Sequence, residues 1–280
     1  MKKKLIILTG PTAVGKTDLS IRLARTVGGE IISADSMQVY RRMDIGTAKI
    51  RPEEMDGVRH HLIDILEPTE SFNAFLFKEY ALKAANEIWE RGSIPIIVGG
   101  TGFYIQTLLY DIEFAKSDEN DGIRDELNKL YEEHGAAFLH DMLAKVDPEY
   151  AAEVHENNVK KVIRAIEFYR QTGHKLSEHN TEQRERTSPY NFEYFVLSDD
   201  RTVLYERIDK RIDKMVEAGL IAEVQALLDE GVDRRSVAMQ GLGYKEIASY
   251  LAGEISLDEA IYILKRDTRH FAKRQLTWFR

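Results

Sequence analysis

The sequence predicts an α/β fold in which a parallel sheet flanked by helices is interrupted by an all-helical insertion. Three observations support this prediction. Short apolar runs alternate with helically spaced apolar residues over residues 4–110, which is typical of a doubly wound parallel sheet. A glycine-rich segment joins the first apolar run to the first helix. The pattern changes at about residue 113, and from Ser117 to Ile166 apolar strand-like runs are absent and helical spacing dominates.

Bulk composition narrows the possible classes of protein. The 280 residues suffice for one large domain or two smaller ones, and 43% hydrophobic and 31% charged residues are ordinary for a globular protein. No run approaches the roughly 20 apolar residues of a membrane span. The apolar stretch after the basic N-terminus ends at Gly10, so we expect no export, no membrane partner and a cytoplasmic location. The absence of cysteine excludes disulfides and thiolate chemistry. With a net charge of -8, a nucleic-acid partner requires locally clustered basic residues.

The first predicted strand, residues 5–8, leads into a phosphate-binding loop. Four residues match the spacing G-x-x-x-x-G-K-[ST]: Gly10, Gly15, Lys16 and Thr17. The glycines let backbone N–H groups form an anion site, and the helix start adds partial positive charge. Lys16 adds a full charge, and the Thr17 hydroxyl is placed for Mg²⁺. The alternative is a glycine-rich turn without a ligand, and the loop alone does not reveal which phosphates it holds.

Two further strands bring candidate residues to the same edge of the predicted sheet. Residues 30–36 form a short strand that ends near Asp35, and residues 94–98 form a buried strand that feeds a glycine-rich turn containing Thr101. Ligands bind at the carboxyl ends of parallel strands, so Thr101 can reach the phosphate site, and Asp35 lies near it if its strand neighbours the first strand. A plain structural alternative exists for each, because Asp35 could cap a turn and Thr101 could cap the following helix. No acidic residue follows the strand that ends at Val98. Because NTPases often place an acid that holds Mg²⁺ at this point, its absence argues against ATP hydrolysis.

The remaining elements follow from apolar spacing. Strands are expected at residues 60–65 and 192–197, and helices at residues 75–88, 103–109, 201–228 and 257–280. On the last helix, Gln275 shares a mainly apolar stripe, and basic residues occupy the opposite stripe: Arg266, Arg269, His270, Lys273 and Arg274. Such a basic stripe suits phosphates, although any surface helix can carry one.

The change of pattern near residue 113 divides the chain into a core of residues 1–112 and 189–280 and an inserted helical subdomain of residues 113–188. The first part of the insertion is acidic: Asp118, Glu119, Asp121, Asp125 and Glu126. The later part is basic: Lys160, Lys161, Arg164, Arg170, Lys175, Arg184 and Arg186. This asymmetry suits a lobe that turns one face to a polyanion, but solvated helix faces would give the same pattern.

Together these motifs resemble the bacterial tRNA dimethylallyltransferases, also called tRNA isopentenyltransferases. The stretches that carry the resemblance run along the chain in the family's order: residues 10–17, 35–40 with 43–49, 99–104, and 272–280. The resemblance implies transfer of a dimethylallyl group from dimethylallyl diphosphate to N6 of the adenosine that lies 3′ of the anticodon, in tRNAs that read codons beginning with U. It also implies Mg²⁺ as cofactor, the tRNA anticodon stem-loop as partner of the insertion, and a monomer.

Site residues follow from the same resemblance. The diphosphate would be bound by Gly10, Thr12, Ala13, Val14, Gly15, Lys16 and Thr17, with Thr17 also holding Mg²⁺. Lys16 would stabilise the leaving group as its charge grows, and Arg211 would reach the diphosphate from the opposite side, ahead of Arg207 as a candidate. Asp35 would accept the N6 proton as general base, and Thr101 would position both substrates.

The target adenine must leave the stacked anticodon loop to reach Asp35, at a cost of a few kcal/mol. The expected tRNA contacts are Asp35, Ser36, Met37, Gln38, Thr101, Lys160, Lys161, Arg164, Gln240, Tyr244 and Lys245. Some family members have Arg where this chain has Gln240. The chain also ends at Arg280 within a helix where relatives often continue, so we expect a C-terminal tail to be missing.

Three other functions fit parts of the pattern. An adenylate isopentenyltransferase would share the loop and Asp35 but has no need of a helical insertion. A P-loop nucleotide kinase would bind ATP in the same loop. A non-catalytic RNA-binding module would use the basic helices and would not depend on Asp35.

Overall fold

The computed structural model describes residues 2–114 and 122–280. The predicted acidic residues Asp118, Glu119 and Asp121 lie outside the described residues. The chain forms two compact units, one of Met1–Leu109 and Pro189–Arg280 and one of Tyr110–Ser188. The sequence predicted an insertion of residues 113–188. The second unit begins three residues earlier, at Tyr110, and ends at Ser188 as expected.

The first unit is built on a five-stranded sheet with the order β3-β2-β4-β1-β5, and all of its pairings are parallel. Its strands are β1 (Lys4–Thr9), β2 (Gly29–Ser33), β3 (His60–His61), β4 (Ile94–Gly99) and β5 (Asn191–Val196). In the central part of the sheet, Ile7 is paired with Ile97, and both side chains are almost fully buried. Apolar runs of this kind are typical of parallel strands that are covered on both faces. The predicted parallel sheet is confirmed, although the strand expected over 60–65 has only two residues.

Helices α1 (Lys16–Val27), α2 (Ala74–Glu90) and α3 (Gly102–Leu109) connect these strands. Helix α2 buries Phe77, Ala81, Ala85 and Ile88, which recur at helical spacing on one face. Asn73 caps its start by accepting a hydrogen bond from the Leu76 N–H at 3.0 Å. The crossovers therefore follow the apolar periodicity seen in the sequence.

The second unit is all-helical, as predicted. It contains α4 (Ile123–Val146), α5 (Pro148–Glu153), α6 (Val159–Thr172) and α7 (Leu176–Arg184), and α4 is kinked at Gly135. Leu139, Val162 and Ile166 belong to its core. The fully buried Asp147 carboxylate accepts hydrogen bonds from the Tyr150 N–H at 3.0 Å and the Ser177 N–H at 2.9 Å. One side chain thereby satisfies one N-terminal amide in each of two helices.

The chain returns to the first unit through β5 and ends in α8 (Arg201–Glu217), α9 (Leu220–Asp229), α10 (Tyr244–Leu251) and α11 (Leu257–Trp278). The single helix predicted over residues 201–228 is wrong, because Gly219 adopts a left-handed φ of 103° and divides it. Helix α10 was not predicted, since eight residues give little periodicity. Arg269, expected on the basic stripe of the last helix, pairs with Asp209 of α8 at 2.7 Å and is thereby neutralised. Over residues 2–114 and 122–280, no helix has both the length and the apolar character needed to cross a bilayer.

Candidate active site

The phosphate loop has the backbone that its glycines permit. Gly10 and Gly15 have φ values of 144° and 93°. A Cβ on Gly10 would also lie 2.4 Å from the Leu197 carbonyl oxygen, so this position has no room for a side chain. Helix α1 begins directly after Gly15 without a side-chain cap. The amides of its first turn are therefore available to an anion.

Lys16 links the loop to the other charged groups of the site. Its Nζ donates to the carbonyl oxygens of Gly10 at 2.9 Å and Pro11 at 2.7 Å, which leaves the third hydrogen of the ammonium for a ligand. Burial lowers the pKa of Lys16 to about 8, while the Asp35 carboxylate opposes this shift and the Arg211 guanidinium adds to it. Both Asp35 and Arg211 therefore lie close enough to Lys16 to act on its charge.

The sequence placed Asp35 near the loop on the condition that β2 neighbours β1, but β4 lies between these two strands. Backbone contacts between the segments after β2 and β4 instead bring Asp35 to this edge of the sheet. The Ala34 N–H donates to the Val98 carbonyl at 2.8 Å, and the Ala34 carbonyl accepts from the Thr101 N–H at 3.3 Å. A Cβ at Gly99 would lie 2.2 Å from the Ala34 carbonyl oxygen. The backbones after β2 and β4 thus touch, which places Asp35 and Thr101 at one edge of the sheet.

Asp35 also caps a turn, as the alternative interpretation proposed. Its Oδ1 accepts from the Met37 N–H at 2.8 Å and the Gln38 N–H at 3.2 Å. Because both bonds go to one oxygen, Oδ2 is left for another partner. Turn capping and a role in the site are therefore compatible, and the turn fixes the direction of the carboxylate.

Gln38 is oriented by two neighbours. Its Oε1 accepts from the Ser33 hydroxyl at 3.2 Å, and its Nε2 donates to the Thr47 carbonyl at 3.3 Å. Thr47 lies in the loop of residues 43–49, which Lys49 holds by bonds to the Tyr40 carbonyl and to two carboxylates. The second amide hydrogen of Gln38 remains for a ligand.

Glu223 anchors the same loop and was missed in the sequence. Its two carboxylate oxygens accept the backbone N–H groups of Asp44 at 2.9 Å, Ile45 at 2.7 Å and Gly46 at 3.1 Å. The Tyr244 hydroxyl donates to Glu223 Oε1 at 2.5 Å. No local pattern marks Glu223, because its partners lie far away in the chain.

Tyr244 does not contact RNA in the way predicted. Its side chain is 0% exposed, its ring packs against Gly46, and burial raises the pKa of its hydroxyl. A fully buried ring cannot present a surface to a nucleic acid, so the correct interpretation is support of the 43–49 loop.

Thr12 requires a second correction. Its N–H donates to Gln275 Oε1 at 2.9 Å. The Thr12 N–H is therefore bonded to Gln275 and is not available to an anion. The predicted diphosphate amides reduce to those of residues 13–17.

A cleft of about 790 Å³ opens beside the loop. It is lined in part by Thr17, Asp18, Lys210, Arg211 and Lys214. Desolvation lowers the pKa of Arg211, and the Asp18 carboxylate opposes this shift. Arg207 also lines the cleft but pairs with Asp199 at 2.8 Å. Of the two candidates, Arg207 is therefore already paired with a carboxylate, and Arg211 stays the predicted diphosphate ligand.

The remaining predicted RNA contacts of the first unit lie near the start of α10. Gln240 is exposed and its Nε2 donates to the Arg234 carbonyl at 2.8 Å. Lys245 is partly exposed and lies 3.3 Å from a carboxylate oxygen of Glu246. Both side chains remain accessible from the solvent.

In the second unit, Lys160 and Lys161 are exposed on α6, and neither has an ion pair with another described residue. Arg164 is half-buried and pairs with Glu167 at 3.2 Å. Several other basic residues of the predicted polyanion face are neutralised by carboxylates: Arg170, Lys175 and Arg186. The surface with unpaired positive charge is therefore smaller than the sequence suggested and lies at the start of α6.

The parallel sheet, the glycine-rich loop and the uncapped helix start have the arrangement of P-loop proteins. The chain belongs to the IPP transferase family, whose family model matches residues 38–280. The tRNA dimethylallyltransferase of Lachnoclostridium phytofermentans is 60% identical over 276 residues, covering 99% of this chain and 88% of that relative. The tRNA dimethylallyltransferase of Carboxydothermus hydrogenoformans is 52% identical over 280 residues, covering 100% and 90%.

Two solved structures support the same family assignment. The tRNA delta(2)-isopentenylpyrophosphate transferase of Staphylococcus epidermidis is 47% identical with a TM-score of 0.72, and the match covers 99% of this chain and 90% of that chain. A eukaryotic dimethylallyltransferase acting on tRNA is 34% identical with a TM-score of 0.87, covering 99% and 70%.

Binding of inorganic diphosphate should weaken as the pH rises through about 8, because Lys16 loses its charge there. Raising the pH from about 7 to about 9 should reduce the affinity by about tenfold, measured by titration calorimetry. Lys16→Arg, which stays charged, is the control and should lack this dependence. Equal wild-type affinity at both pH values would contradict the role of Lys16.

Glu223→Gln should lower the free energy of unfolding by about 1–3 kcal/mol, because it places an amide N–H₂ against backbone donors. Tyr244→Phe is the matched comparison and should cost less, about 0.5–1.5 kcal/mol, since it removes a single hydrogen bond. Urea denaturation measures both. If Glu223→Gln were no more destabilising than Tyr244→Phe, Glu223 would not anchor the loop.

Proposed function

We propose that this protein transfers a dimethylallyl group from dimethylallyl diphosphate to N6 of the adenosine 3′-adjacent to the anticodon in tRNAs that read codons beginning with U. The observation that carries the proposal is the backbone contact through Ala34, which brings Asp35 and Thr101 together next to Lys16. A carboxylate that could accept a proton is thus close to the ammonium of the candidate anion site, which supports the proposal. The names of the relatives and the tRNA-acting structural neighbour support tRNA as the acceptor.

On the donor side, the amides of residues 13–17, the third hydrogen of the Lys16 ammonium and Arg211 would bind the diphosphate. These groups are fixed before the reaction, and they stabilise the charge that develops on the leaving diphosphate. The Lys16 ammonium is held in place by the Gly10 and Pro11 carbonyls, so little reorganisation is needed.

Thr17 and Asp18 line the cleft with oxygen atoms and fit Mg²⁺, which binds few protein ligands together with substrate phosphates. Among the described residues, no group of three or more His, Cys, Asp or Glu side chains suits a metal ion. When bound, Mg²⁺ would neutralise part of the diphosphate charge. Thr17 would hold it through its hydroxyl.

On the acceptor side, N6 attacks the allylic carbon, the carbon–oxygen bond to the diphosphate breaks, and its electron pair leaves with the diphosphate. Asp35 Oδ2 takes the N6 proton as the carbon–nitrogen bond forms. Thr101 would hold the two substrates in line, an effect worth about 7–11 kcal/mol in well-oriented model reactions.

The RNA would be recognised by Gln38, which keeps one amide hydrogen for a ligand, and by the exposed Lys160 and Lys161. Phosphate contacts would offset the cost of unstacking the target adenine. Asp35, Thr101 and Lys16 all belong to one unit of one chain, so the proposal requires only a monomer.

Prenyl transfer to a synthetic anticodon stem-loop tests this proposal directly. Incubation with dimethylallyl diphosphate and Mg²⁺ should add one dimethylallyl group, detected by mass spectrometry, and a stem-loop with guanosine at the target position should remain unmodified. Product on AMP alone would instead indicate an adenylate isopentenyltransferase. Stabilisation by ATP with phosphoryl transfer, and none by dimethylallyl diphosphate, would indicate a nucleotide kinase.

Asp35→Asn should lower kcat by at least about 100-fold and change the Kd for the stem-loop little, because asparagine can still cap the turn but cannot take the proton. Asp229→Asn, at the exposed end of α9, is the matched control and should retain wild-type turnover. Single-turnover kinetics and filter binding measure the two effects. Wild-type turnover of Asp35→Asn would exclude the general-base role.

A further inference from the structure

Gln275 is a buried carboxamide that joins two loops of the active site. It lies near the end of α11 and is 5% exposed. Its Oε1 accepts from the Thr12 N–H at 2.9 Å, and its Nε2 donates to the Gly100 carbonyl at 3.0 Å. The first partner lies in the phosphate loop, and the second directly precedes Thr101.

The direction of this carboxamide is fixed by its partners. If it were reversed, Nε2 would face the Thr12 N–H and Oε1 would face the Gly100 carbonyl, so both bonds would be lost. The approach to the glycine turn is also close, since a Cβ on Gly100 would lie 2.1 Å from Gln275 Nε2. Glycine at position 100 therefore leaves the space that the bridge occupies.

The bridge connects groups that act on different substrates. Thr12 begins the part of the loop whose following amides would bind the diphosphate, and Thr101 would contact both reactants. Reaction rates fall steeply when reacting groups are misplaced by as little as about 1 Å. The side chain of Gln275 is hydrogen-bonded to the phosphate loop and to the turn before Thr101 at the same time.

We infer that Gln275 is a positioning residue for prenyl transfer. Its side chain sets the spacing between the bound diphosphate and Thr101. The inference rests on the proposed function. A purely structural role predicts a different outcome, because loss of a buried hydrogen-bonding group would lower stability without changing the catalytic step.

Gln275→Glu separates these two roles. A protonated glutamic acid has one carbonyl and one hydroxyl and can replace both hydrogen bonds, whereas an ionised carboxylate would oppose the Gly100 carbonyl. We expect kcat for the stem-loop to fall by about 10- to 100-fold at neutral pH. The ratio of variant to wild-type kcat should recover as the pH is lowered to about 5.5, because the neutral acid restores the bridge.

Gln275→Met and Gln225→Glu complete the experiment. The methionine variant has no hydrogen-bonding group, so its kcat should be low at every pH, while its affinity for inorganic diphosphate should stay within about threefold of wild type. Gln225 is exposed on α9, and Gln225→Glu should match wild type throughout. Melting temperatures confirm that each variant is folded.

The outcomes are distinguishable. If wild type transfers the group and the Gln275→Glu ratio does not vary with pH, the positioning role is overturned. A loss of diphosphate affinity equal to the loss of kcat in Gln275→Met would also overturn it, because Gln275 would then build the anion site itself. If wild type transfers nothing, the proposed function fails and the inference falls with it.

Discussion

The site depends on the contact between the backbones that follow β2 and β4. The Ala34 N–H and carbonyl bond to Val98 and Thr101, and Gly99 has no space for a side chain against Ala34. This contact extends the parallel pairing beyond the strands themselves. It brings a carboxylate and a hydroxyl from two segments of the chain, Asp35 and Thr101, to one point at the edge of the sheet. A larger residue at position 99 would separate the two backbones and with them the two functional groups.

Burial gives the site its electrostatic character. The chain has a net charge of -8, yet Lys16, Lys210, Arg211 and Lys214 belong to the loop and the adjoining cleft. A largely buried ammonium is poorly solvated, and this desolvation lowers the pKa of Lys16. An anion that binds there replaces the missing solvation and interacts in a low dielectric. Overall charge is therefore a poor guide to the ligand of this protein, and local clustering is the relevant property.

Much of the fold was predictable because its signals are local. The alternation of apolar runs and helical spacing predicted the parallel sheet and the helical insertion, and the rule on strand ends brought Asp35 and Thr101 together. The misses share a physical cause. Glu223, Gln275 and the buried state of Tyr244 depend on contacts between distant segments, which no sequence period records. Gly219 shows the converse, because a single left-handed glycine outweighed an otherwise continuous helical pattern.

The same long-range contacts explain how a loop common to many phosphate-binding proteins acquires a particular role. The motif requires only that residues 10–17 cradle an anion. What surrounds the motif is contributed by other parts of the chain: Asp35 from the end of β2, Arg211 from α8 and Gln275 from α11. After β4, Gly99 packs closely against the backbone of Ala34, and residues 99–102 contain no acidic side chain. In this arrangement the carboxylate that acts on the charge of Lys16 is Asp35, just after β2, and β4 lies between β2 and the strand that leads into the loop.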